Sequence, residues 1–175
     1  MPSSSIALNP ANSWCGSRVA IHMSTVAASK SCRRAWRQIV PVTVVPGISS
    51  SISAPALAGI PVTHRGVTHE VVIASGHVPP GHPDSLTDWA ALARLRGTIV
   101  LMMAVERVDA FATALLDGGR AGSTPVALIE NASLPSQRVL RTTLAEAAQT
   151  ATEQQLKPPA IVVIGDVAGF TDAAS

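Results

Sequence analysis

The chain has 175 residues, 47% of them hydrophobic and 14% charged, with a formal net charge of +2. That is the size of one domain, or of one domain plus a tail, and the composition is too apolar for wholesale disorder. No apolar run of ~18 residues occurs, which excludes a transmembrane helix, and two cysteines, Cys15 and Cys32, are too few for a disulfide scaffold or a zinc module.

The charge is unevenly placed. Residues 1–38 hold Arg18, Lys30, Arg33, Arg34 and Arg37 and no acid, a net +5, so residues 39–175 carry eight bases against eleven acids, net −3. Three origins fit the opening segment. It has the composition of an organellar transit peptide; it could be a basic arm for nucleic acid or an acidic surface; or it is a disordered or non-native extension. The last is favoured, because the segment shows no sustained helical or strand period and no amphipathic face.

From residue 40 the pattern becomes regular. Val40 to Val45 is a β-branched run ending at Pro46-Gly47, which predicts a strand and a turn. Ser49 to Ala58 predicts a helix capped by Ser49 or Ser50, kinked by Pro55 and stopped by Gly59 and Pro61. Val71 to Ser75 predicts a strand, and Asp88 to Leu95 a short helix with Asp88 at its first turn. Thr98 to Met103 is a continuous apolar run, the pattern of a strand covered on both faces. Val108, Phe111, Ala112, Leu115 and Leu116 recur at helical spacing, closed by Gly118-Gly119. Pro125 to Glu130 predicts a buried strand and Ser136 to Arg141 its partner. Thr143 and Glu146 have capping-box spacing and predict a helix to about Gln155, before a last strand from Ala160 to Ile164. Alternating strands and helices imply an α/β layer fold, and the interposed strand pair makes its sheet mixed.

The residues able to do chemistry are few. His64, His69, His77 and His82 fall close together, but their spacings fit no helix and Pro79, Pro80, Gly81 and Pro83 put the last pair in a loop. Ordinary loop histidines are therefore expected, and no metal. His64-Arg65 follows the helix stop and offers two groups suited to a carboxylate or phosphate; a solvated loop explains them equally well. Pro46-Gly47-Ile48-Ser49-Ser50 places free N–H groups after a strand, where α/β proteins bind ligands. It matches neither a dinucleotide fingerprint nor a phosphate-binding loop. No Gly-x-Ser-x-Gly elbow occurs and no cysteine lies beyond position 32, so nucleophilic hydrolysis has little support. Met102 and Met103 end a buried run, as core filler or as soft ligand contacts.

Several blocks taken together carry a resemblance. They are Pro41-Val-Thr-Val-Val-Pro-Gly-Ile-Ser-Ser50, Ala54-Pro-Ala-Leu-Ala-Gly-Ile-Pro-Val-Thr-His-Arg-Gly66, Ser75-Gly-His77, Gly97 to Met103, Thr124 to Asn131, Gln137-Arg138, Thr143-Leu144 and Ile161 to Gly165. Over roughly residues 39–170 the chain resembles the uroporphyrinogen-III C-methyltransferase family, which also forms the methyltransferase part of sirohaem synthases. The resemblance implies methyl transfer from S-adenosylmethionine to a tetrapyrrole, uroporphyrinogen III, giving precorrin-2 for sirohaem and cobalamin. It implies a homodimer; the acidic main body argues against a nucleic-acid partner, the histidine spacings against a metal and the lack of a long apolar run against a membrane. It further implies that Ser49, Ser50, Met103 and Ala132 touch the cofactor. The many carboxylates of the substrate make His64 and Arg65 the expected anchors.

Family members begin with a first α/β domain that completes the cofactor site. Its glycine-rich strand-loop, its Gly-Gly-Asp-Pro motif and the family's acid/base positions have no counterpart in this sequence. The expected organisation is therefore a basic extension over 1–38, a remnant strand and linker helix of the first domain over 39–58, and a C-terminal mixed-sheet methyltransferase domain over 59–172. A chain of that kind is expected to be impaired alone. The alternatives are a non-catalytic folded remnant or dimerisation module, and a methyltransferase for a later precorrin. With no secretion or membrane signal, the cytoplasm is the expected compartment.

Overall fold

The computed structural model describes residues 46–170. The basic segment 1–38 and the expected strand Val40–Val45 lie outside the described residues. From Ile48 the described residues form one compact unit.

Helix α1 spans Ser50–Leu57. Ser49 is its N-cap, extended at φ −96° and ψ 136°, and its hydroxyl accepts the Ser51 N–H. The helix runs through Pro55 rather than breaking there. Its end is a Schellman closure: the Ile60 N–H donates to the Pro55 carbonyl at 2.8 Å and the Gly59 N–H to that of Ala56 at 3.1 Å. Strand β1 (Val71–Ser75), α2 (Trp89–Arg94), β2 (Thr98–Met102), a single 3-10 turn (Val105–Arg107) and α3 (Val108–Asp117) follow. Asp88 caps α2 by accepting the Ala91 N–H at 2.8 Å. Then come β3 (Pro125–Glu130), β4 (Arg138–Thr143), α4 (Ala147–Glu153), β5 (Ala160–Ile164) and a last 3-10 turn (Asp166–Gly169).

The five strands lie in the order β1-β2-β5-β3-β4. Only β1 and β2 are parallel; β5 enters antiparallel between β2 and β3, and β4 pairs antiparallel with β3. The sheet is thus mixed, as the chain-order pattern implied. Side chains alternate across it, because successive residues of a strand point to opposite faces. Ile99, Leu101, Val126, Leu128, Val162 and Ile164 face a layer built by α2, α3 and α4, with Trp89, Phe111 and Leu115 in it. Val100, Ala127, Ile129, Ile161 and Val163 face the other layer, with Ala54, Ala58 and Ile60 from α1 and its exit, and Val167 from the last turn. Each large side chain fully withdrawn from water contributes about 1.5–3 kcal/mol. The continuous apolar runs at 98–102, 125–130 and 160–164 follow directly from a sheet covered on both sides.

Two expectations need correction. The strand after β3 begins at Arg138, not Ser136. Gln137 is held in the preceding turn, its N–H donating to the Leu134 carbonyl and its side chain accepting the Ser133 N–H. Thr143 does not open α4, which starts at Ala147. Thr143 is the last residue of β4, paired with Pro125, and its hydroxyl meets the Glu146 carboxylate at 3.0 Å across a turn. The sheet ladder claims the residue that the local pattern assigned to the helix.

The end of the sheet where β2 begins is closed by Arg120. Gly119, at φ 96°, allows the Schellman closure of α3 in which the Arg120 N–H donates to the Leu115 carbonyl. The buried guanidinium then donates to the carbonyls of Leu95 (3.2 Å) and Gly97 (2.9 Å). Burial pushes its pKa below the usual arginine value, while Asp166 and Glu70 act in the opposite direction. Among the described residues no helix is long and apolar enough to cross a membrane.

Candidate functional site

The mixed topology brings unlike strand ends to one edge. The register pairs Ser75 with Met102, Met102 with Ile161, and Glu130 with Ala160. The carboxyl ends of β1, β2 and β3 therefore meet the start of β5. A cleft of about 570 Å³ opens at this edge. Ser50 and Ala54 of α1, His77, Met102, Met103, Ile129, Ala132, Pro158 and Pro159 line it, and Glu106 and Arg107 stand there as well.

Local backbone shapes this cleft. β2 stops where Met103 turns left-handed, at φ 56°, a conformation seldom taken by a bulky side chain. Met103 is 52% exposed and lines the cleft beside the partly buried Met102, while Ala104 after it is buried. Gly76 makes that turn possible. Its N–H donates to the Met102 carbonyl at 2.6 Å. A Cβ there would lie 2.6 Å from the Ala104 Cβ and 3.0 Å from the Phe111 ring, so only glycine fits. At the end of β3, Asn131 (φ 52°) and Ser133 (φ 72°) bracket Ala132 in a second left-handed turn. The Asn131 N–H donates to the Pro159 carbonyl at 3.0 Å, joining this turn to the segment that enters β5.

The residues singled out from sequence separate into two groups. Ser50, Met103 and Ala132, far apart in the chain, line the one cleft. Ser49 does not line it; its hydroxyl is engaged with Ser51, both N–H and Oγ, as the α1 cap. His64 and Arg65 lie elsewhere, in a tight turn closed by the Thr68 N–H donating to the His64 carbonyl at 3.0 Å. His64 meets Phe170 edge-on at 4.9 Å between ring centres, and Arg65 is exposed. His77, Glu106, Arg107, Pro158 and Pro159 were not singled out for the cleft. For His77 a signal existed, since it follows the Ser75-Gly76 strand exit. The others reach the cleft only through the order of the strands. Among the described residues, no group of three or more His, Cys, Asp or Glu gathers as metal ligands would.

Comparisons with known proteins bear on this site. The family model for tetrapyrrole (corrin/porphyrin) methylases matches residues 25–148, opening within the basic segment. An S-adenosyl-L-methionine-dependent uroporphyrinogen III methyltransferase of Methanosarcina barkeri is 47% identical over 129 residues, 74% of this chain and 51% of that protein. A uroporphyrinogen-III C-methyltransferase of Pseudomonas fluorescens is 39% identical over 165 residues, 94% of this chain and 66% of that protein. The chain spans about half to two thirds of the length of these uroporphyrinogen methyltransferase relatives. Among solved structures, uroporphyrin-III C-methyl transferase from Thermus thermophilus complexed with S-adenyl homocysteine superposes with a TM-score of 0.69 at 33% identity, covering 83% of this chain and 62% of that one. A cobalt precorrin-4 methyltransferase gives a TM-score of 0.73 at 20% identity, a likeness of fold alone. The chain belongs to the tetrapyrrole (corrin/porphyrin) methylases.

Proposed function

We propose that this chain forms the cofactor-facing C-terminal part of an S-adenosylmethionine-dependent methyltransferase acting on uroporphyrinogen III. The observation that carries this reading is the meeting of Ser50, Met103 and Ala132 in one cleft. The names of the curated relatives support the donor and the tetrapyrrole class.

The cleft residues suit such a donor. About 570 Å³ lies in the usual range for a pocket that takes a small-molecule ligand. Ile129, Ala132, Ala160 and Ile161 supply an apolar wall for a flat base and a sugar, and Met103 a soft, polarisable contact. Ser50 brings a hydroxyl, Glu106 a carboxylate and Arg107 a guanidinium. When bound, the donor supplies a methyl group already activated by its sulfonium charge. The protein's residues then have no nucleophile to provide; they hold the two partners in line and keep water from the reacting centre. Arg65 and His64 are proposed to receive carboxylates of the tetrapyrrole, outside the donor cleft. A homodimer belongs to the same reading.

The wall described is one-sided. Ser50, His77 and Glu106 are exposed and Met103 is half exposed, so among the described residues the cleft is open on one side. Titration of the purified chain with S-adenosylhomocysteine, followed by calorimetry and by NMR of the methionine and alanine methyl groups, tests the proposal. Binding weaker than micromolar, with shifts at Met103 and Ala132, is expected. Micromolar binding would defeat the expectation that the chain is impaired alone, and shifts confined to another surface would remove the cleft from the function. Arg65→Ala is expected to weaken tetrapyrrole binding without altering those shifts; unchanged tetrapyrrole binding takes Arg65 out of the site.

A further inference from the structure

Glu130 ends β3 and is 5% exposed, a carboxylate buried at the cleft edge. Its partner is Arg138, directly opposite it on β4. Arg138 Nε donates to Glu130 Oε2 at 2.9 Å, and Nη2 donates to the same oxygen. Both Nη atoms also reach the Gln154 carbonyl at 3.3 Å. Gln154 is the C-cap of α4, and the chain runs from it through Pro158 and Pro159 into the cleft. One guanidinium thus ties the end of β3, which leads into the Ala132 turn, to the end of α4, which leads into the Pro158-Pro159 segment. These are two sides of the same cleft, joined elsewhere by the Asn131 bond to Pro159. Gln137 extends the link: its amide accepts the Ser133 N–H at 2.9 Å and donates to the Leu57 carbonyl of α1 at 3.3 Å.

We infer that Glu130 and Arg138 are positioning residues that hold the Ala132 turn and the Pro158-Pro159 segment at a fixed separation, and so fix the shape of the donor cleft. Neither residue lines the cleft; they act through the backbone at either side. As a shape for a donor, the inference rests on the function proposed above; as a mechanical brace, it stands on the geometry alone. A carboxylate and guanidinium suit the task. Two donors on one oxygen define a direction, and the guanidinium keeps free N–H groups for the carbonyl beyond.

The test uses the full chain carrying Arg138→Met, Arg138→Lys or Glu130→Gln, with Glu153→Gln as a control on the exposed face of α4. Amide hydrogen exchange is measured without ligand. Exchange at Asn131 and Leu156 is expected to rise roughly tenfold in Arg138→Met, the size of one charged hydrogen bond, with no change at the β2 and β5 amides of Val100 and Val162. Arg138→Lys and Glu130→Gln, which keep part of the link and avoid the harsher change, are expected to fall between. The control is expected to match the parent. Exchange that rises equally at Val100 and Val162 would reduce the pair to general stability and overturn the inference, as would no change at Asn131. With S-adenosylhomocysteine added, the Ala132 methyl shift should shrink in the brace variants while that of Met103 persists. Equal loss at both would overturn the positional role. If the parent chain shows no ligand shift in the cleft, the proposed function fails, and the exchange experiment still decides the brace.

Discussion

Gly76 shows how a single position can serve both stability and site. It closes the exit of β1 onto Met102 and leaves no room for a Cβ against Ala104 and Phe111. Gly76→Ala is expected to cost about 2 kcal/mol, the usual scale for overpacking a filled core, read as a lower urea midpoint. An unchanged midpoint would mean that Ala104 and Phe111 yield freely. At this scale the sequence was partly legible. Ala132 came from the resemblance alone, Ser50 and Met103 also from local patterns that left a ligand contact open, and the cleft gathers all three. The Glu130–Arg138 pair was not legible, although Arg138 stood in a matching block. An ion pair eight residues apart is invisible until the register of two antiparallel strands puts the residues opposite each other. The left-handed Met103 was hidden for a similar reason: nothing local demands it, and the packing of Ala104 under Gly76 does.

The start of α1 separates two serines with different duties. Ser49 caps the helix, while Ser50, next in the chain, lines the cleft and is exposed. Ser49→Ala removes the acceptor for the Ser51 N–H and the partner of the buried Ser51 hydroxyl, at a cost of about 1 kcal/mol. Ser50→Ala should leave the unfolding midpoint where it is and diminish the ligand shifts in the cleft. Chemical denaturation and NMR titration of the two variants separate the roles; a reversed pattern would mean that the cap and the contact have been exchanged. Elements with a strong apolar pattern were the readable ones: Val108–Asp117 and Ala160–Ile164 stand where the pattern put them, and Thr98–Met102 stops one residue before the expected Met103. The Thr143-Glu146 spacing misled because a capping box is a four-residue signal. The ladder bonds to β3 outweigh it, and the two side chains still meet without a helix between them.

For the molecule as a whole, the α/β character and the mixed sheet followed from the order of predicted elements, whereas the strand order did not. Apolar runs report burial on both faces and say nothing about which neighbour a strand takes. The placement of β5 decides the site, because it brings the Pro158-Pro159 segment between Met103 and Ala132. It also decides how the sheet is completed. β1 with β2, and β3 with β4, are two separate pairs of strands until residues 160–164 stitch them together. Until this segment is seated, the two half-sheets have bare facing edges, the state in which strands pair with strangers. Whether the chain folds or aggregates thus hinges on one short stretch of five apolar residues.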